Sequence, residues 1–383
     1  MGSGRLLAVG SLTAKMLLYL ASLATASVAL LLGARISIGT CYLIAAFALL
    51  AGVSSIIGLL NGAKMDLLMI DLRLYAYIPA LCFFDLAIRS QQAVDLVSKA
   101  IRIASVVMLL VCASIIVLVL SGELTVIELL RFVTVGSSED IMASQEGIGI
   151  RFFYKGYIYL GVGVLFWASR PGWRAKIIAG CALGLIVLSG TRGLSLAVII
   201  CWLMAWALAS KKKRAVTRLV AAGILIAVLA ASPYLVSVLR GGDQISASND
   251  DRLLTIRQVE AQVTPGSLFW GHGLGVGVPA RREHMEITYL EFLHKNGLVG
   301  LAIWLSLLAL VLGRYLRLQG SAQADAAVPF VSAVLLIAID TFSNPTLNNP
   351  IGLSVVFITL GVLGFLGNIA RRKRLPLEPA SLT

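Results

Sequence analysis

Charged residues are scarce in this sequence. Only 13% of its 383 residues are Asp, Glu, Lys or Arg, whereas 58% are hydrophobic. This composition excludes a soluble globular domain. The apolar runs are continuous and lack the alternation of membrane β-strands, which excludes a barrel. Continuous runs of roughly 20 apolar residues instead predict helices that cross a membrane.

Residues that commonly bind metals are also few. The five cysteines all lie inside apolar runs without metal-like spacing, which indicates packing residues: Cys41, Cys82, Cys112, Cys181 and Cys201. The sequence has no carboxylate cluster and no DxD-like pair, so we expect neither a metal nor another cofactor. The N-terminus has no convincing cleavage site, so the first apolar run is expected to be a retained span.

The chain is thus predicted to be an all-α polytopic integral membrane protein with about 11–12 transmembrane helices and one large outer loop that contains short helices. The candidate spans are approximately 15–33, 38–61, 66–88, 101–121, 153–169, 175–190, 193–210, 217–239, 297–313, 325–341 and 350–368. They divide the chain into N-terminal spans at 1–121, central spans at 122–239 with a small outer loop at 122–152, the large loop at 240–296, and C-terminal spans with a tail at 297–383.

The net charge of +13 would suggest nucleic acid for a soluble protein, but cytoplasmic loops of membrane proteins collect Lys and Arg. Basic residues therefore predict the cytoplasmic connectors: 89–102, 169–176, 211–218, 314–317 and 371–374. The outer stretches would then be 122–152, 190–193, 240–296 and 342–350.

Eleven crossings would place the N-terminus outside, despite Arg5 and Lys15. The alternative is a miscount in the first 90 residues, where Asp66, Asp71, Arg73 and Asp85 interrupt one span; Asp71 and Arg73 either pair or face a cavity.

The stretch 240–296 is the longest polar interval, and it holds all three histidines: His272, His284 and His294. We expect a helix beginning at Asp251 that carries Arg252 and Arg257 and ends at Pro265–Gly266. The following glycines have no βαβ context, which excludes a nucleotide-binding loop; they either make a turn or direct backbone N–H groups toward an anion.

Several side chains on the outer stretches are candidates for a phosphate site. Arg192 lies at the tip of a tight turn between two spans, against the positive-inside preference. Arg151 is either a membrane anchor or part of the site. Near the end of the large loop lie Arg281, Arg282, His284, Glu286 and Tyr289, with Glu286 and Tyr289 expected on one face of a helix that Glu286 begins. Glu291 and Lys295 are interpreted as an ordinary surface pair four residues apart.

The order of several segments in the second half of the chain is informative. A span ends in SGTRG, a basic turn and another span follow, and the outer loop contains RLLTIRQ, a GxGxG stretch and YLEFLHKNGLVGL. This order resembles the O-antigen polymerase and O-antigen ligase superfamily of bacterial envelope glycosyltransferases. The similarity is best over about 150–310. In the ligases a His-Asn pair commonly begins the last loop helix, but Glu286-Ile287 occupies that place here, which favours a polymerase.

The resemblance implies an enzyme of the Gram-negative inner membrane whose active site faces the periplasm. Its donor and acceptor would be undecaprenyl-pyrophosphate-linked oligosaccharides, with a chain-length regulator protein as a further candidate partner and no nucleic acid. Arg192 and Arg252 would hold the pyrophosphate, with Arg257, Arg151, Arg281, Arg282 and Tyr289 nearby. Glu286 is the first candidate for the catalytic base and His284 the second. The alternatives are a ligase that transfers polymer to lipid A-core, and a transporter or flippase of an anionic or lipid-linked substrate.

Overall fold

A computed structural model describes residues 8–9, 12–123, 125, 141–146, 149–154, 156–189, 192–209 and 243–374. This part of the chain is mostly helical, which confirms the predicted helical class. The helices are α1 (Ala14–Leu31), α2 (Ile38–Leu60), α3 (Met65–Ala76), α4 (Ala80–Ala87), α5 (Gln91–Leu120), α6 (Tyr157–Ala168), α7 (Trp173–Leu188), α8 (Arg192–Ala209), α9 (Asp243–Gln262), α10 (Pro265–Trp270), α11 (Thr288–Leu318), α12 (Ala324–Asp340) and α13 (Pro350–Arg374). The candidate span 217–239 and the basic stretch 211–218 lie outside the described residues.

Five of the described helical stretches are long and apolar enough to cross a membrane, by length and composition: Ile38–Leu60, Met65–Ala87, Gln91–Val119, Thr288–Leu318 and Pro350–Arg372. Each overlaps a predicted span. The interrupted span predicted at 66–88 forms two helices, α3 and α4, with Pro79 at the N-cap of the second. Proline lacks the backbone N–H that a continuous helix needs, which explains the break.

Two short hairpins accompany the helices. The strands β1 (Ala8–Val9) and β2 (Leu12–Thr13) pair near the N-terminus. In the small outer loop, β3 (Ile141–Glu146) and β4 (Gly149–Tyr154) pair antiparallel from Ile141–Tyr154 to Glu146–Gly149. The sequence predicts only a polar loop over most of this segment. The backbone groups that a loop would leave to solvent are paired across the hairpin instead.

The most deeply buried helices are α6 and α12, which pack against each other and against α8. Helix α13 completes this core and contacts α4, α11 and α12. Many large apolar side chains of α1, α2 and α5 are instead exposed, including Leu31, Leu60 and Val117. A soluble protein would bury such extensive apolar surface, whereas a membrane protein presents it to lipid.

The connectors meet in two groups at opposite ends of the bundle. At one end, Ser37 N donates to Asp85 Oδ2 at 2.6 Å, and Arg314 Nη1 donates to Leu360 O at 2.7 Å. At the other end, the large loop, the first residues of α11 and the connector between α12 and α13 come together. The predicted basic stretches that begin at Arg89 and Arg314 belong to the first group, and the predicted outer stretches 240–296 and 342–350 belong to the second.

Candidate functional site

The first turns of α11 form a separate short helix at the end of the bundle. Gly297 has φ 66° and ψ −169°, which breaks the helix between Asn296 and Leu298. The break is held by close packing, because a Cβ on Gly297 would lie 2.2 Å from Phe269 O of α10. The short helix begins at Thr288, with Ile287 as its N-cap, so the prediction that Glu286 begins it is wrong by two residues. Glu286 therefore belongs to the preceding loop and cannot share a helical face with Tyr289.

A buried charge cluster, consisting of Asp71, Glu291 and Lys295, is the centre of the candidate site. Lys295 Nζ donates to Glu291 Oε1 at 2.6 Å and to Asp71 Oδ1 at 2.8 Å. The three residues are only 3%, 1% and 6% exposed in the order Lys295, Glu291, Asp71. The interpretation of Glu291 and Lys295 as an ordinary surface pair is therefore wrong. Spacing alone predicts a surface pair, but the loop and α3 cover it.

Asp71 pairs with Lys295 rather than with the exposed Arg73. Its second oxygen, Oδ2, accepts a hydrogen bond from Gly275 N at 2.7 Å. The N–H of a loop glycine thus faces an anion, as one interpretation of the glycine stretch predicts, but this anion is a carboxylate of the protein itself. Asp71 thereby joins the third helix to the large loop.

The glycine stretch docks the loop on the helix ends. Gly273 and Gly275 have φ values of 91° and 78°, which favour glycine. A Cβ on Gly273 would lie 2.0 Å from Gly58 N of α2, so two backbones approach each other directly. Leu274 N, between the two glycines, donates to Ser54 O at 2.9 Å. Any larger residue would push the loop away from α2 and α3.

His284 lies at the edge of the charge cluster and reaches solvent. Its Nδ1 is 3.1 Å from Glu291 Oε1, and its side chain is 41% exposed. The hydrogen bond with Glu291 raises the pKa of His284 above its usual value, although burial acts in the opposite direction. When Nδ1 carries the proton and donates to Glu291, Nε2 is left as the acceptor. Within the described residues Nε2 has no hydrogen-bond partner, so it is free to take a proton from a substrate.

Glu286 lies between two arginines. Arg252 Nε donates to Glu286 Oε2 and Arg281 Nη2 donates to Oε1, both at 2.7 Å. Arg281 is also 3.7 Å from Asp251 Oδ2. The structure thus brings together three of the predicted site residues, with Arg252 and Arg281 both bound to the Glu286 carboxylate. Each guanidinium has five donors in a fixed fork, so most remain for another anion.

The other predicted arginines lie on different parts of the chain. Arg257 and Arg282 are exposed, and neither forms an ion pair with a carboxylate of the described residues. Helix α9, which carries Arg252 and Arg257, begins at Asp243 rather than at Asp251, while Pro265 opens α10 through a Thr264–Ser267 capping box. The side chains of Arg192 and Arg151 lie outside the described residues, although their backbones form the start of α8 and part of β4.

The connector between α12 and α13 contacts both the start of α8, next to Arg192, and the charge cluster. A Cβ on Gly193 would lie 2.7 Å from Ser343 Oγ, so the start of α8 packs on this connector. Further along the connector, Asn348 Nδ2 donates to Glu291 Oε2 at 2.9 Å. The Arg192 backbone therefore lies at the same end of the bundle as the cluster. The Tyr289 hydroxyl is already occupied within the bundle, because it donates a hydrogen bond to Ala338 O at 3.0 Å.

Asp71, His284 and Glu291 are close enough to hold a metal ion, with ligand atoms within 4.8 Å of one another. The Lys295 ammonium, however, already contacts Asp71 Oδ1 and Glu291 Oε1. A divalent cation would have to displace this buried lysine or share the carboxylates with it. The donor set therefore fits an internal ammonium better than a metal.

No protein-family model and no curated protein matches this chain. Sequence reasoning missed Asp71, Glu291, Lys295 and Asn348 as members of that site. The charge of Asp71 inside an apolar run is the one feature of the sequence that indicates this site. A charged side chain in a membrane has a high free-energy cost, so its presence there usually indicates a functional residue.

Proposed function

We propose that this protein is a membrane glycosyltransferase that polymerises a surface polysaccharide from lipid-pyrophosphate-linked repeat units. The observation that carries the proposal is the pairing of the buried Glu291 carboxylate with His284, two residues before Glu286, which binds two arginines. A partly exposed imidazole held by a buried carboxylate is an arrangement suited to general base catalysis. Adjacent arginines are suited to a phosphate-containing leaving group.

In the proposed reaction, His284 Nε2 takes the proton of an acceptor sugar hydroxyl. The hydroxyl oxygen forms a bond to the anomeric carbon of the donor, and the bond from that carbon to the pyrophosphate oxygen breaks. Undecaprenyl pyrophosphate leaves with the bonding electron pair. Glu291 keeps the imidazole in the required tautomer and stabilises the imidazolium that forms, while Lys295 keeps Glu291 ionised. This assignment makes His284 the base and reverses the order of the two candidates expected from the sequence.

Glu286 has a different role in this proposal. A carboxylate that accepts from two guanidinium groups is a poor proton acceptor, because both cations stabilise its ionised form. It instead orients Arg252 and Arg281, whose remaining donors face the developing charge on the pyrophosphate. Such fixed donors are commonly worth about 3–4 kcal/mol each in the transition state. Arg192 and Arg257 are proposed as further phosphate contacts.

The position of the site supports chemistry at the membrane surface. The break at Gly297 separates the short site helix from Leu298–Leu318, whose 21 residues suffice to span the membrane by themselves. The site thus lies at an end of the bundle, opposite the basic residues Arg89, Arg314 and Arg371. An outer, periplasmic location follows if those residues are cytoplasmic.

The proposal is tested by deleting the gene and analysing the lipopolysaccharide or other surface polysaccharide. A polymerase deletion should remove long chains and retain a single repeat unit on the core. If a ligase is lost, no repeat unit reaches the core and polymer remains on its lipid carrier. Loss of a flippase leaves lipid-linked single units on the cytoplasmic side of the membrane. Either of these last two patterns would contradict the proposal.

A further inference from the structure

A large cavity of the described structure lies at the end of the bundle away from the candidate site. Its volume is about 870 Å³, and it opens between the ends of α2, α4, α11 and α13. Six arginines line it: Arg35, Arg89, Arg314, Arg317, Arg371 and Arg372. All but Arg35 belong to stretches that the sequence predicts to be cytoplasmic. Nothing in the proposed reaction requires this cavity.

The cavity has a large excess of positive charge. Asp85 is the only acidic residue among those that line it, and its Oδ2 accepts from Ser37 N at 2.6 Å. In the part of the chain that the structure describes, no carboxylate lies within ion-pair distance of the six guanidinium groups. Asp85 acts electrostatically on Arg314, but six guanidinium groups against one carboxylate leave an excess of positive charge that attracts an anion.

Backbone carbonyl groups hold two of these arginines in place. Arg314 Nη1 donates to Leu360 O at 2.7 Å, and its guanidinium lies against two glycines, Gly39 and Gly364. Arg89 donates from Nε to Asp85 O at 3.1 Å and from Nη2 to Arg35 O. A carbonyl does not neutralise a guanidinium, and each arginine retains further donors. Arg89 and Arg314 are therefore positioned by the fold, whereas the other four arginines are exposed at the rim of the cavity.

Apolar residues line the same cavity and continue onto the outside of the bundle. Ile88, Leu363 and Phe365 contribute to its wall. Ile38 and Leu316, which are adjacent in sequence to the lining residues Ser37 and Arg317, are 73% and 61% exposed. An anion with an attached acyl chain fits this combination better than a free ion does. Basic pockets between transmembrane helices on the cytoplasmic side are typical sites for anionic lipid headgroups.

We propose that this arginine-lined cavity binds the phosphate group of an anionic phospholipid from the cytoplasmic leaflet. The guanidinium groups contact the phosphate oxygens, and the acyl chains lie along the exposed apolar surface beside Ile38 and Leu316. The site is distinct from the one proposed for lipid-linked sugars at the opposite end.

The test uses the full chain, purified in detergent and titrated with phosphatidylglycerol or phosphatidylcholine, with bound lipid counted by native mass spectrometry. Phosphatidylglycerol should bind more tightly than phosphatidylcholine. The double variant Arg317→Gln/Arg371→Gln removes two exposed arginines without touching the Arg314 hydrogen bond. It should bind phosphatidylglycerol about 25-fold more weakly, since each arginine near the membrane surface is worth about fivefold. The matched control Arg174→Gln changes an exposed arginine outside the cavity and should have no effect.

A parallel titration with inorganic phosphate distinguishes the lipid from a free anion. If phosphate competes with phosphatidylglycerol at comparable concentration, the lipid assignment is overturned and the cavity is a site for a soluble anion. If the double variant and the control bind phosphatidylglycerol as wild type does, the anion site itself is overturned. Neither result depends on glycosyltransferase activity, so the proposed function is tested separately.

Discussion

Lys295 and Glu291 lie one helical turn apart, and their side chains meet at 2.6 Å while almost completely buried. A surface pair at this spacing contributes only a few tenths of a kcal/mol. A buried charge is different, because removing its partner leaves it uncompensated in a medium that solvates it poorly. The Lys295 ammonium also contacts Asp71, so it compensates two carboxylates.

We therefore expect Lys295→Met to destabilise the protein strongly. The variant leaves Asp71 and Glu291 without their cation, which costs about 3–5 kcal/mol for buried pairs. Thermal unfolding of the purified protein in detergent measures the effect. Lys99→Met, on the exposed face of α5, is the matched control and should melt near the wild-type temperature. Equal melting temperatures for Lys295→Met and Lys99→Met would show that the charge cluster is solvated.

The pH dependence of activity reports on His284. Its pKa is raised by the hydrogen bond to Glu291, so its ionised form is favoured in the folded protein. The stabilisation from this charged pair is complete below about pH 6.5 and is lost as pH rises through the folded-state pKa. Catalysis shows the opposite trend, because only neutral His284 accepts a proton. We expect the acidic limb of the activity profile to lie above pH 6.5.

Glu291→Gln should move that acidic limb to lower pH, because the glutamine amide cannot stabilise the imidazolium as a carboxylate does. The same variant should lower the maximal rate. Measuring initial rates between about pH 5 and pH 9 gives both quantities. If the acidic limb of the activity profile does not move in Glu291→Gln, the titration belongs to a group other than His284. Glu286→Gln is then the next variant to measure.

The glycine stretch offers a test of how the loop is docked. Gly275→Ala adds a Cβ that would lie 2.8 Å from Leu68 N, at a φ of 78°. The loop must then move away from α3, so we expect loss of the Asp71 hydrogen bond, a lower melting temperature and lower activity. Gly184→Ala is the control, since its Cβ meets nothing within 4 Å on α7. This control should be neutral or stabilising by up to about 1 kcal/mol. Identical behaviour of the two variants would contradict the docking.

The arginines should matter by geometry as well as by charge. Arg252→Lys keeps the charge but cannot donate through Nε to Glu286 while presenting a planar fork to phosphate. We expect it to lose most activity while folding normally, with a loss of about 3–4 kcal/mol in transition-state stabilisation. Arg73→Lys, on an exposed site of α3, should retain wild-type polymer length. Wild-type length in Arg252→Lys would remove this residue from the phosphate site.

The sequence predicts much of the fold because apolar length determines where helices cross a membrane. The predicted spans at 38–61 and 350–368 begin at the same residues as α2 and α13 for this reason. Local spacing also finds the arginines around Glu286, since all lie within the polar interval of the large loop. It cannot find the charge cluster, because Asp71 is more than 200 residues from Glu291 and Lys295. Their burial depends on how the glycine stretch threads between α2 and α3, which no local pattern encodes.

The most direct test of the central claim is polymerisation by the purified full-length protein supplied with lipid-linked repeat units. Wild type should extend chains and release undecaprenyl pyrophosphate, also in the presence of a chelator, because Lys295 and not a metal neutralises the carboxylates. His284→Ala should reduce the rate by about 10²–10⁴-fold, the usual contribution of a general base, without loss of folded protein. Glu286→Gln should retain more activity than His284→Ala. Normal extension by His284→Ala, or no extension by wild type with intact substrate, would contradict the account.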